Sequence, residues 1–303
     1  MSSHPLVTAT EETADPSAPS DRARAGPIKC ETPVADAFLL LAASTAHDAI
    51  QRVRKLDSKA DPEILHKLRV ALRRLRSLWW AYEPLLDKKD AKFQRSEFKS
   101  LADAAGKTRN WDVLRDLLAA DPSTKHSFAA LIQLVDEHRA DALSFSRRAI
   151  ANAGVEQILA RALAGARHQL DTRATSPSLT AFAEERVKLA EKALKKRVER
   201  AASQNDVAYA VLHEVRIAGK KLRYLLEFFS PVLDGSHQAA IERLSGVQDE
   251  LGKLNDLVTS ETLLREYADQ LGEPKHVKEA VRYLQDRKSH RMRKVHEILR
   301  TVC

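Results

Sequence analysis

An all-α fold follows from three features of this 303-residue sequence. Glycines number only nine, aromatic residues make up 5% and charged residues reach 30%. Sandwiches, barrels and Rossmann sheets need β-branched runs and glycine turns that this mixture does not supply. Beyond Pro33, apolar residues recur mostly at three- and four-residue spacing, and the pattern breaks where Pro, Gly, Asp and Asn cluster.

The elements follow in chain order. The first 31 residues carry five acids (Glu11, Glu12, Asp15, Asp21, Glu31) and three bases (Arg22, Arg24, Lys29), and they lack an apolar signal core. That segment reads as a disordered tail, 1–32, rather than a targeting peptide. A helix over 34–56 begins after Pro33, and its apolar stretch Phe38–Ser44 is far too short to span a bilayer. Asp61-Pro62 supplies a capping residue and a first-turn proline for a helix over 61–85, which Pro84 closes. Helices over 88–106, 109–120, 125–152 and 154–170 follow. "DTRATSPS" (Asp171–Ser178) is the candidate linker. After it the pattern predicts helices over 178–203, 206–229, 235–252, 255–271 and 275–301, with Pro231 ending the second and Gly252 breaking the chain after the third. The helical region 33–301 thus divides into halves at 33–170 and 178–301.

The halves repeat. "LHKLRVALRRLRSLWWAYEPLL" (Leu65–Leu86) aligns without gaps to "LHEVRIAGKKLRYLLEFFSPVL" (Leu212–Leu233), with nine of 22 positions identical. "GKTRN" at Gly106 answers "GKLND" at Gly252, and "LVDE" at Leu134 answers "LQDR" at Leu284. Tandem copies are expected to pack about a pseudo-twofold axis, so that equivalent faces converge on a shared site.

Each copy carries a cationic ladder. At about 100° per residue, His66, Arg69, Arg73 and Arg76 fall within an arc of about 80° and span about 15 Å of helix. His213, Arg216, Lys220 and Arg223 repeat the pattern. Leu65, Leu68, Leu72, Leu75, Trp79 and Tyr82 occupy the angles that can face a core, as do Leu212, Val215, Leu222, Leu226 and Phe229. Most basic helix faces are merely solvated. Here the stripe lacks the acids that would form i,i+4 pairs, so like charges sit one turn apart. Arginine, whose fork suits phosphate oxygens, dominates the first copy. The two histidines, set among cations, are expected to have depressed pKa values and to gain charge when a polyanion arrives.

Composition and motif together exclude several chemistries. A net charge of +8, becoming +10 once the −2 tail is set aside, implies an anionic partner. Cys30 and Cys303 form neither a disulfide framework nor a zinc spacing, which fits a reducing, cytoplasmic compartment. "HEVRIAG" looks like the phospho-accepting box of sensor kinases, but Ala218 stands where that box has proline, and no glycine-rich ATP lid follows. A zincin pair would need histidine at Ile217, and a phosphate loop would need glycine at Leu101. No ExExK signature, nucleophile-base arrangement or paired carboxylates stand out, so the expectation is a binding module with no catalytic residues, metal or cofactor.

A helix reading His-x-x-Arg-[Val/Ile]-x-x-[Arg/Lys]-[Arg/Lys]-Leu-Arg, used twice in a basic helical chain, closely resembles the CHAD (conserved histidine α-helical domain) family. "GKTRNWDVL" (Gly106–Leu114) is similar to that family's Gly-x-x-Arg-Asp-x-Asp run, with Asn110 in place of the usual acid, and "GKLNDLV" has Asn255 where Arg109 stands. The resemblance covers about 33–301. It implies two tandem antiparallel four-helix bundles related by pseudo-twofold symmetry, with a basic groove or pore between them, in the stand-alone form without a CYTH triphosphatase domain. It further implies binding of inorganic polyphosphate and residence on polyphosphate granules, with no membrane partner. Carried over by position, the binding residues are His66, Arg69, Arg73, Arg74 and Arg76, with His213, Arg216, Lys220, Lys221 and Arg223. Arg74 and Lys221 sit off the main stripe, and Arg109, Lys253, Arg287 and Arg291 are weaker candidates.

The residues support the same ligand independently, since a phosphate polymer offers repeated charge and no bases. Nucleic acid bound without sequence preference, or another polyanion, is the alternative. Single-strand binders place aromatics along the basic track, whereas only Trp80 lies in line with the first stripe and Glu227 takes its place in the second. A helical scaffold whose charge only keeps it in solution is the third reading, and it predicts that reversing the stripe charge costs no affinity.

Overall fold

The structure, a computed structural model, describes residues 28–56, 62–173, 175–234, 238–272 and 274–302. The predicted tail up to residue 27, Asp61 and Cys303 lie outside them. Among the described residues the fold is all-α: α1 (Val34–Arg54), α2 (Pro62–Ala81), α3 (Lys88–Ala105), α4 (Lys107–Leu118), α5 (Pro122–Ser127), α6 (Ala129–Asn152), α7 (Val155–Asp171), α8 (Leu179–Ala202), α9 (Tyr209–Phe229), α10 (Gln238–Glu266) and α11 (Pro274–Val302). A 3₁₀ turn over Glu83–Leu85 follows α2, where Pro84 ends the α-helical hydrogen-bonding pattern.

Helix ends at 81, 209 and 266 differ by a few residues from the sequence reading, and three other differences are larger in consequence. Packing begins before residue 33: Ile28 is buried, and Thr32 N–H donates to Lys29 O at 3.0 Å in a turn. The helix expected over 125–152 starts earlier and is interrupted at Phe128. Asp121 and Thr124 form a reciprocal capping box ahead of Pro122, and the buried Phe128 turns the chain between α5 and α6. The two helices expected on either side of Gly252 are one continuous α10. A helical glycine costs only about 1 kcal/mol relative to alanine, too little to break a helix packed along its length.

The apolar faces read from the sequence are the ones that are buried. Leu65, Leu68, Leu72, Leu75, Trp79 and Tyr82 on one ladder helix, and Leu212, Val215, Leu222, Leu226 and Phe229 on the other, are almost fully covered. α2 packs against α1 and α3, α9 packs against α8 and α10, and α2 touches α9. Edge-on and tilted aromatic contacts anchor α2 and the residue that follows it. Trp79 meets Phe38 of α1 at 4.8 Å and Phe98 of α3 at 5.0 Å, and Tyr82 meets Phe182 of α8 at 4.8 Å. One buried cluster joins α1, α2, α3 and α7 to α8 and the end of α9, and a second joins α4 and α6 to α10 and α11. Both therefore draw on residues from before and after the 171–178 linker. With their apolar sides fixed in this way, the ladder helices turn part of their cationic edges in a common direction.

Candidate anion-binding site

That direction is a shared cavity of about 390 Å³. Arg69, Arg73 and Arg76 of α2 line it together with Arg109 of α4 and Arg216 of α9. Lys99 and Asp103 of α3 lie at its side, and Asn255, Asp256, Thr259 and Ser260 of α10 add polar groups. No aromatic ring lines it among the described residues.

The break between α3 and α4 has a function here. Gly106 has ordinary αR backbone angles, so its need is space rather than a special conformation. A β-carbon there would fall 2.8 Å from Arg69 Cδ and 3.0 Å from Ala102 O. Arg69 thus reaches the cavity by lying across the bare glycine backbone. Its Nε, Arg216 Nε, His66 Nδ1 and Ser260 Oγ are all buried without a hydrogen-bond partner among the described residues. Buried donors without partners are expensive to keep, and those of Arg69, Arg216 and Ser260, which line one cavity, are suited to an acceptor-rich ligand. Gly106→Ala is expected to leave the helical circular dichroism unchanged and lower polyanion affinity roughly tenfold, or about 1.4 kcal/mol, by displacing Arg69; titration calorimetry checks it.

Like charges facing one another leave strong electrostatic signatures. Burial, and then Arg73, Arg216, Arg223 and Arg69, bring the Lys220 ammonium down from 10.5 to about 6. Burial lowers the His66 imidazole against the pull of Glu63, with Arg109, Arg69 and Arg73 adding to the lowering. His213 is lowered by burial, Arg216 and Lys220. Its Nδ1–H donates to the Tyr209 hydroxyl (3.2 Å), which donates to Asn255 Oδ1 (3.2 Å), and Asn255 Nδ2 donates to Thr259 Oγ1 (3.4 Å). That chain holds the ring by Nδ1 and leaves Nε2 as its other titrating nitrogen. Burial raises the Asp256 carboxyl even though Arg216 and Arg109 pull it down. An anion entering the cavity relieves the cations and favours protons on Lys220 and both histidines.

The CHAD domain family model matches residues 40–265. The chain belongs to the CHAD family. Among solved structures, the crystal structure of the CHAD domain from the plant Ricinus communis is 25% identical, with a TM-score of 0.79 over 92% of this chain and 96% of that one. PptA from Streptomyces chartreusis is 17% identical, with a TM-score of 0.66 over 89% of this chain and 99% of that one, and shares the fold. No curated protein matches the sequence. Among the described residues no helix is long and apolar enough to cross a membrane, and no group of three or more His, Cys, Asp or Glu is placed to hold a metal ion.

This CHAD domain brings only part of the predicted residue set to the cavity. Arg69, Arg73, Arg76, Arg216 and Arg109 line it, while Lys220 and His66 stand within electrostatic range of its arginines. Arg74 instead donates to Glu227 across the α2–α9 contact at 2.7 Å, and Arg223 lies 3.4 Å from the same carboxylate. Lys221 sits over the Trp80 ring, 4.6 Å from its centroid, in a separate cleft. Lys253 pairs with Glu250 at 3.4 Å, Arg291 pairs with Glu250, and Arg287 donates to the Tyr283 hydroxyl. None of these last three lines the cavity. The sequence reading missed Lys99, Asp103, Thr259 and Ser260, which no local motif marks. It also missed Asn110 and Asp256, although both sit in the paired "GKTRN" and "GKLND" segments.

Proposed function

We propose that this CHAD domain is a non-enzymatic module that binds inorganic polyphosphate in the cavity between α2, α4, α9 and α10, and that this binding carries it to polyphosphate granules. The observation carrying the reading is the convergence of five arginines from three helices on one cavity that has no aromatic lining. Guanidinium forks match phosphate oxygens, and a polymer of phosphates supplies one anion per repeat. A row of stacking platforms, which single-stranded nucleic acid uses, has no counterpart along this wall.

A local two-fold relation between the ladders supports the same reading. In a two-fold contact, if one residue touches another, their equivalents touch as well. Arg74 contacts Glu227, and their equivalents Lys221 and Trp80 contact each other. Tyr82 meets its own equivalent Phe229 at 6.1 Å, and Arg73 acts on its own equivalent Lys220. These paired contacts bring cations of both ladders toward one region, although α2 lends the cavity three arginines and α9 only Arg216.

Titration calorimetry with medium-chain polyphosphate, run beside single-stranded DNA, RNA and duplex DNA at about 150 mM salt, tests the proposal. Selective tight binding of polyphosphate is expected, with a log-log salt slope steeper than about −3 from displaced counterions. Equal or stronger binding of a nucleic acid would overturn it.

A further inference from the structure

The α2 stripe does not end at Arg76. Trp80 is one turn further along the same face, about 5.4 Å away, and it enters a cleft of about 120 Å³ between α2, α8 and α9. Ile217, Leu189 and three alanines make the cleft apolar, and Ile217 and Leu189 are 44% and 49% exposed. Arg186, Arg197 and Lys221 also line it. The cleft is on the scale of the ~150 Å³ apolar cavity that admits a single benzene ring.

The repeat has diverged at this point. Glu227, the equivalent of Trp80, neutralises Arg74 and approaches Arg223. With tryptophan in that place, Lys221 makes no ion pair among the described residues, and neither do Arg76, Arg186 and Arg197. Arg186 donates to the Trp80 carbonyl at 3.2 Å and lies 5.1 Å from the ring centroid; Arg197 donates to Ala193 O at 2.8 Å. Two observations therefore coincide: an open apolar slot that admits part of a base, and cations that make no ion pair among the described residues, with Glu83 acting on Arg186 and Lys221 only at longer range, and that continue toward the phosphate cavity through Arg76. A bare phosphate polymer uses only the cations. An apolar ring carrying no phosphate uses only the slot.

We propose that the Trp80 cleft and the adjoining end of the cavity form a binding site for a nucleoside polyphosphate, with the base against Trp80, Ile217 and Leu189 and the phosphates on Arg76, Lys221 and the cavity arginines. The site rests on the polyphosphate reading for its phosphate half only. One helical turn separates the ring from Arg76, the step that a pentose fills between base and first phosphate. Both ligands use Arg76, so nucleotide and polyphosphate compete.

ATP and tripolyphosphate carry the same number of phosphates and differ in the nucleoside. Titrated in parallel without metal, ATP is expected to bind at least tenfold tighter, to quench tryptophan fluorescence and to displace polyphosphate. Trp80→Leu, or Ile217→Gln at a surface position that does not threaten folding, brings ATP down to the affinity of tripolyphosphate and leaves tripolyphosphate binding as it was. Equal affinities in the unmodified protein overturn the nucleotide site while leaving the phosphate reading intact. So does an ATP advantage that survives both substitutions. If neither ligand binds, the nucleotide site falls, and the titration with medium-chain polyphosphate decides the phosphate reading separately.

Discussion

Exchanging both Arg73 and Lys220 for glutamate is expected to weaken polyphosphate binding by about 100-fold or more, roughly 2.7 kcal/mol, without unfolding the protein. The two residues are equivalent in the repeat, and Arg73 is the largest neighbouring charge acting on Lys220. Reversing both replaces an arginine and a buried lysine that a bound anion would recharge with two anions facing the phosphates. The same change is benign or favourable for the free protein, because Arg69 and Arg216, now surrounded by like charge, gain carboxylate partners. Affinity and thermal stability should therefore move in opposite directions, which a misfolded variant cannot mimic. Reversing Lys192 and Lys195 on the exposed face of α8 changes net charge equally and should cost much less, since exposed charges are screened. If the two double variants lose affinity equally, the protein binds through overall charge rather than this cavity. Near-normal affinity in R73E/K220E would place the site elsewhere.

How much of this was legible in the sequence depended on the range of the forces involved. The ladders are local: four cations on one arc and six apolar residues on another settle which side of α2 is buried. Arg74 and Lys221 were carried into the binding set although they sit off the main stripe, and neither lines the cavity. The two glycine segments mark where local reading stops. Gly106 and Gly252 begin matching pentapeptides, yet one ends a helix and the other sits inside one. The difference lies in what passes nearby: Arg69 crosses Gly106, while a β-carbon at Gly252 would meet nothing within 4 Å. The start of α5 was legible in principle, since Asp121-Pro122 carries the same capping signal as Asp61-Pro62. Lys99, Thr259 and Ser260 were not, because their place in the cavity depends on the packing of α3 and α10 around the ladders and on no pattern within either helix.

The repeat also explains why the cavity is not uniformly basic. Where the first half has Arg109, the second has Asn255, committed to Tyr209 and Thr259; where the first has Asn110, the second has Asp256. Among the guanidinium groups the cavity also carries a carboxyl, Asp256, whose pKa burial raises while Arg216 and Arg109 pull it down. Identical halves would have placed a second arginine where Asn255 stands and no acid at Asp256, increasing the repulsion already evident at Lys220.

Burial, with like charges beside it, makes Lys220 the position where binding and stability are expected to conflict, and Lys220→Met is expected to raise stability while lowering affinity. The ammonium's pKa in the fold, about 6, lies below its ordinary 10.5. Between these values the folded chain holds fewer protons than the unfolded one, so stability rises with pH across that window. The penalty is complete below pH 6 and gone above about 10.5. Removing the amine should therefore stabilise most at pH 6 and below, on the order of 2 kcal/mol, with the gain shrinking toward pH 10. Polyphosphate reverses the balance. A bound anion returns Lys220, His66 and His213 toward their ordinary values, so binding takes up protons and affinity falls as pH rises from 6 to 8. Calorimetry at pH 7.5 in buffers of different ionisation enthalpy reads that uptake directly, and Lys220→Met should reduce it by nearly one proton. Buffer-independent heats in the unmodified protein would mean that the ligand never reaches the ladder crossing. An unchanged uptake in the variant would assign the protons to the histidines alone, and the buried amine would then be a cost of folding with no return in binding.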